Sequence, residues 1–297
     1  MTDVWHIAVF ELRRAIRTWR AAALLSLFAV SSAGATYLFV RMVGLMENAL
    51  ADQLMVPRTR VPGTMLRELT ESDTWREVVS GMVGAEQVTD FVLSIPPLAL
   101  FDLWFLFLLV PFFAAAAAAE SISIDVQSRA IRYETLRTGR PELVLGRFIG
   151  QLLLTWFATL MSAGIVFGVG IGFMVIEDRG SLLAWLLWFS LRASAFAVPF
   201  VGLGIAASQI TSSPAWARVM AITATAGSWV AFGVAVLLQR SERWAVLGDV
   251  LLQVLPQGWM QGMWGAGLAW LPAGGVQMGL GLALVALGYL RFARRDL

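Results

Sequence analysis

The chain has 297 residues, of which 58% are hydrophobic and only 14% charged. Soluble domains carry roughly 25% charged residues, so this composition and its long uncharged runs mark an integral membrane protein. All 22 cationic residues are arginine, there is one histidine, and there is no cysteine. That excludes a P-loop lysine, a Schiff-base lysine, histidine metal clusters, thiolate nucleophiles and iron–sulfur ligation. A Ser-His-Asp triad has only His6 to draw on.

Residues 3–20 predict an amphipathic interfacial helix. Trp5, Val9, Leu12, Ile16 and Trp19 fall near one stripe, flanked by Arg13, Arg17 and Arg20. The plainer alternative is a basic flank of a signal anchor. Residues 21–40 predict the first span. Ala33-Gly34-Ala35 resembles a cleavage site, but the apolar run continues through Val40, which points to an uncleaved anchor.

Residues 41–95 form the longest polar segment, with five arginines against eight acidic residues. Thr74-x-x-Glu77 reads as a capping box before a stripe of Trp75, Val78, Val79, Met82 and Val83. The expectation is an external helical insert, punctuated by Pro57, Pro62 and Gly63. It would either hold a partner or cover its own spans. Residues 96–119 predict the second span, with Pro111 expected to kink it and Ala114–Ala119 making it thin.

A charged island follows at 120–147, carrying Arg129, Arg132, Arg137, Arg140 and Arg147. Ile122, Val126, Ala130, Tyr133 and Leu136 recur near helical spacing, so an amphipathic helix over 120–140 is predicted, ended by Gly139 and restarted at Pro141. Composition alone allows an ordinary basic loop.

Span three is expected at 148–176, with Gly164, Gly168 and Gly172 as a packing face. Span four is expected at 181–208, a short turn at 209–218 and span five at 219–238. Residues 240–272 contain no apolar run long enough to cross. Pro256 and Gly258 break them into an expected external re-entrant or interfacial segment, with Trp259, Trp264 and Trp270 as membrane-belt anchors. Span six is expected at 273–290, with Gly275 and Gly279 as a packing pair.

Thirteen arginines fall on one side of this topology and eight on the other, five of those eight in the long insert where the charge rule is weak. Both termini are therefore expected in the cytoplasm. Arg192 lies inside span four, about 16 Å deep at ~1.5 Å per residue. A charge there costs at least about 2.5–3.5 kcal/mol on insertion scales. Asp102, the one acid within a predicted span, is its expected partner, as a charge pair or a gate. Met260 and Met263 offer thioethers, but no histidine or cysteine supports a metal site. Catalytic residues and metal ligands are not expected.

The order Glu120-Ser121-Ile122-Ser123-x-Asp125, Glu134-Thr135-Leu136-x-Thr138, Arg140-Pro141 and Leu145-Gly146-Arg147 resembles the first cytoplasmic loop of type-2 ABC exporter permeases. Tyr133 stands where that pattern usually has glycine, and Gly139 precedes Arg140-Pro141. The resemblance implies an all-α permease domain over 1–297 with six spans and an interfacial elbow helix. It also implies a coupling helix at 120–140 that docks on a separate ATPase. The residues expected at that contact are Glu120, Ser123, Asp125, Ser128, Arg129, Arg132, Tyr133, Glu134, Arg137 and Arg140. This chain would bind no cofactor itself; ATP and Mg would sit in the partner. A second permease copy, membrane lipids and an extracytoplasmic partner for the insert are the other expected associations, with no nucleic acid, in a bacterial inner membrane. The alternative is a non-transporting scaffold that holds a partner through its insert. An intramembrane enzyme lacks Gly-x-Ser-x-Gly, a spanning histidine and paired spanning carboxylates.

Overall fold

The computed structural model describes residues 2–17, 19–57, 61–83 and 91–294. Regular structure among them is all helical: α1 (Thr2–Arg17), α2 (Trp19–Leu54), α3 (Leu66–Thr70), α4 (Asp73–Val83), α5 (Pro97–Ala118), α6 (Ser123–Gln127), α7 (Ile131–Arg137), α8 (Arg140–Phe173), α9 (Arg179–Ile210), α10 (Pro214–Gln239), α11 (Ala245–Val254) and α12 (Leu271–Ala293). Six of these, α2, α5, α8, α9, α10 and α12, are long and apolar enough to cross a membrane. The expected span count therefore stands, with helices longer than the apolar runs alone suggest.

Helix α9 is the axis of the bundle and packs most extensively on α12 and α5. Small residues make both crossings. A Cβ on Gly202 would strike the carbonyl of Gly281, and one on Gly204 would lie 2.6 Å from the carbonyl of Ala115. Buried Ala114, Ala115, Ala118 and Ala119 let α5 approach this closely. In a bilayer such backbone proximity supplies the packing that a hydrophobic effect between helices cannot. Pro111 and Pro199 are carried within continuous helices.

Two expected packing faces are not internal. A Cβ added at Gly164, Gly168 or Gly172 on α8, or at Gly275 or Gly279 on α12, would meet nothing from another element within 4 Å among the described residues. Spacing predicts that backbones can meet there, not that they do so inside one chain.

The acidic insert begins as an extension of α2, which runs 36 residues, about 54 Å at ~1.5 Å per residue. The chain then turns back: both carboxylate oxygens of buried Glu47 accept from Gly63 N (3.0 and 2.9 Å), one also accepts from Met65 N (3.0 Å), and Val175 N donates to the Pro62 carbonyl (2.8 Å). Helix α4 starts earlier than expected, at Asp73, with Ser72 Oγ accepting from Trp75 N at 3.2 Å. Trp75 and Val79 are buried in the same core as the spans. The Thr74, Met82 and Val83 side chains, Arg58, Arg60, residues 84–90 and the terminal Arg295-Asp296-Leu297 lie outside what is described.

The 240–272 segment dips between the spans. Helix α11 folds against α10, and two 3-10 turns, Pro256–Trp259 and Gln261–Trp264, follow. Gln257 Nε2 donates to Ser228 Oγ at 2.7 Å, and Gln277 Nε2 donates to the Pro256 carbonyl at 2.8 Å. Trp264 is 1% exposed, edge-on to Phe107, and Trp270 is 6% exposed, edge-on to Trp188. These two indoles are wedges inside the bundle, not the belt anchors expected.

The Gly202–Gly281 crossing carries a direct expectation. Gly202→Ala and Gly281→Ala should each lower the midpoint of thermal unfolding in detergent, in line with the roughly 1–3 kcal/mol cost of overpacking. Gly168→Ala, with open space around it, should leave the midpoint unchanged.

Candidate functional site

The charged island is not one helix. Helix α6 ends at Gln127 with Ser128 as its cap, Arg129 adopts a left-handed conformation (φ 61°), and α7 starts at Ile131. The break turns the chain, so Ile122 and Ile131 are buried while Tyr133 and Leu136, expected on the buried stripe, are among the most exposed apolar side chains at 75% and 84%. The result is a two-helix crosspiece with an inner side fixed to the bundle and an outer side left open.

Arg147, about two turns beyond the start of α8 at ~3.6 residues per turn and 2% exposed, organises the inner side. It donates to the Ser121 carbonyl and to Glu134, and it pairs with Asp125 at 2.6 Å. Arg14 of α1 meets the same Asp125 in a two-pronged contact of 2.9 and 3.0 Å. This bonding to Asp125 pushes the Arg14 guanidinium further up in pKa. Two guanidinium groups thus clamp one carboxylate, a geometry that suits planar donor forks.

Helix α1 lies close enough because Gly146 and Gly150 line its track on α8. A Cβ on Gly146 would sit 2.6 Å from Ile7, and one on Gly150 would sit 3.0 Å from the Ala8 carbonyl. Glu11, 6% exposed, accepts from Gln151 Nε2 at 3.1 Å. Burial holds its carboxyl above the usual range, opposed by Arg147, Arg14 and the Gln151 bond. The exposed side chains of α1 include Trp5 and Phe10, and Trp19, expected to close the stripe, instead opens α2.

Three further ties reach the other spans. Ser208 Oγ on α9 accepts from both Ile122 N and Ser123 N at 2.8 Å. Arg218 near the start of α10 bonds Glu120. Arg140 donates to the Ala293 carbonyl at 2.7 Å and lies over the Phe292 ring, so it satisfies the end of α12.

Of the ten expected contact residues, Ser123 and Asp125 are buried in this bracing, and Glu120, Glu134 and Arg140 are engaged in it. Ser128, Arg129, Arg132, Tyr133 and Arg137 are exposed. Sequence reading left out Glu11, Arg14, Ser208 and Arg218 as bracing residues, and Leu136 as part of the open side. It noted Arg147 only as part of a motif.

The intramembrane pair does not form. Asp102 accepts from Ser162 Oγ at 3.1 Å, and Ser162 Oγ lies 2.5 Å from Ser32 Oγ. Arg192 instead donates to the carbonyls of Met263 (3.0 Å) and Gly267 (3.2 Å) in the re-entrant segment. Its guanidinium carbon lies 5.4 to 6.0 Å from the centroids of Phe189, Trp188 and Trp270. Backbone dipoles and ring faces replace the carboxylate, consistent with cation–π attraction in a dry setting. Arg192 thereby pins the re-entrant turn about 20 Å along α9, counted at ~1.5 Å per residue. Among the described residues there is no cluster of three or more His, Cys, Asp or Glu that could hold a metal.

Six spanning helices, a re-entrant turn and a braced, charged crosspiece define a multi-pass membrane protein of the permease class. The model of the ABC-2 family transporter proteins matches residues 5–297, and the chain belongs to that family. Its members are the membrane subunits of ABC transporters, which typically pair with an ATP-binding subunit. No curated protein matches the chain.

Removing Arg147 should leave the Ser121 carbonyl and the half-buried Glu134 without this donor, and Asp125 with Arg14 alone. Arg147→Ala is expected to cost about 3–5 kcal/mol, as for other broken buried pairs. Arg147→Lys should restore little, because one ammonium cannot span Ser121, Asp125 and Glu134. Denaturant unfolding of the purified chain measures both.

Proposed function

We propose that the chain is the membrane half of an ATP-driven exporter and that the outer side of 120–140 is its contact with the ATPase. The observation that carries this reading is the division of the crosspiece. Its inner side is tied by named polar contacts to α1, α8, α9, α10 and α12. Its outer side presents Arg129, Arg132 and Arg137 around the bare apolar pair Tyr133 and Leu136. A structural loop needs no exposed tyrosine and leucine ringed by arginines. A docking surface does, since aromatic and arginine side chains contribute most to interface energies.

The mechanism follows from that rigidity. ATP and Mg bind between two ATPase subunits, and their closure displaces the crosspiece. Because it is bonded to five helices, the displacement moves the bundle rather than bending a loop. A second permease copy completes the transporter, and the two copies rearrange to release substrate outward or from the inner leaflet. The arginine excess supports a cytoplasmic side for this end and both termini, in a bacterial inner membrane. The insert lies on the opposite face. Its ties through Glu47 and Val175 favour a cover on its own spans over a partner-holding scaffold.

Tyr133→Ala with Leu136→Ala should reduce recovery of the ATPase with the purified complex, and substrate-stimulated ATP turnover, by at least about tenfold, the effect of losing about 1.4 kcal/mol. The unfolding midpoint should not move, because both side chains are exposed. Undiminished recovery would reject this surface as the contact.

A further inference from the structure

Between α1, α2, α5 and α8 at the arginine-rich end lies a cavity of about 90 Å³. Its polar lining is Glu11, Arg14, Glu120, Ser121 and Gln151, and its apolar wall includes Phe113 and Leu154. Most of these polar groups are already satisfied. Arg14 is held by Asp125, Glu120 is bonded by Arg218, and Ser121 Oγ donates to the Ala118 carbonyl. Two acceptors are left over. Glu11 takes the amide Nε2 of Gln151, which orients that amide and leaves Gln151 Oε1, on a side chain 4% exposed, with no partner. Glu11 itself has one amide bond and only a distant ion pair with Arg14, at 4.0 Å.

Charge points the same way. Arg14 and Arg147 face Glu11, Asp125 and Glu134, so two cations meet three carboxylates among the described residues. Arg14 is bonded to Asp125 and Arg147 to Asp125 and Glu134, so Glu11 keeps only the long 4.0 Å approach of Arg14. A buried charge of this kind calls for a counter-charge. A buried unpaired amide oxygen calls for a donor.

We propose that this cavity binds a primary ammonium group, seated between the Glu11 carboxylate and Gln151 Oε1. An ammonium supplies the missing charge and three N–H donors at once. A quaternary ammonium has charge but no N–H, and water has donors but no charge. The apolar wall formed by Phe113 and Leu154 suits the carbon attached to the nitrogen. Helix α1, with Trp5 and Phe10 exposed, is amphipathic in the manner of helices at the membrane surface. An aminoethyl lipid headgroup and a free alkylamine both carry the required chemistry.

The test compares the full chain in vesicles of phosphatidylethanolamine and of phosphatidylcholine with matched acyl chains, and in detergent with methylammonium or tetramethylammonium chloride. The unfolding midpoint is the readout. A lipid source predicts a midpoint about 2–4 °C higher in the primary-amine lipid, with no response to methylammonium. A soluble source predicts a rise with methylammonium and none with tetramethylammonium. In either case Glu11→Gln, which keeps the Gln151 bond, should abolish the difference, and so should Gln151→Leu, which keeps Glu11. Equal midpoints in all paired conditions would show a water-filled cavity and overturn the proposal. So would variants that keep the full shift.

Discussion

A single buried guanidinium, Arg147, sets the geometry of the arginine-rich end. It sits inside the bundle, where an unpaired charge is costly, and its acceptors come from three places in the preceding loop: Ser121, Asp125 and Glu134. The loop must fold back over the start of α8 to provide them. That requirement accounts for the left-handed break at Arg129, the split into two helices and the exposure of Tyr133 and Leu136. Arg14 shares Asp125 from the other side and carries α1 into the same unit. A local electrostatic demand thus fixes an arrangement spanning most of the sequence.

The two ends of the bundle solve the same problem in different ways. At the arginine-rich end, cations are met by carboxylates arranged in chains. Deep among the spans, Arg192 is met by carbonyls of a broken segment and by aromatic faces, and Asp102 by the Ser162 hydroxyl, which is itself bonded to Ser32. The chain avoids a buried ion pair whose desolvation could exceed its Coulomb gain. Arg192 gains a structural role instead, holding the turn that carries Trp264 into the core.

The membrane class, the six spans and the position of the charged loop were legible in the sequence, because hydrocarbon thickness imposes a length and a composition on every crossing. The bracing was not. Arg14 and Asp125 are 111 residues apart, and Ser208 and Ile122 are 86 apart, so no local pattern links them. The pairing of Asp102 with Arg192 was a reasonable inference from charge, but backbone carbonyls are acceptors that a sequence does not spell out. Trp264 and Trp270 were placed at the membrane surface because tryptophan often sits there; packing against Phe107 and Trp188 draws them inside. The Gly164, Gly168 and Gly172 stripe shows the converse, where a pattern that permits close approach leaves the partner unspecified.

The central claim is that the crosspiece is rigid on its inner side and meets the ATPase on its outer side. The native chain has no cysteine, so Leu136→Cys and Ile131→Cys each give a unique attachment point for a photoactivated cross-linker. The measurement is the yield of covalent adduct with the ATPase in intact membranes. The account predicts a strong adduct from position 136 and almost none from buried position 131. Equal yields from the two positions, or no adduct from 136, would contradict it.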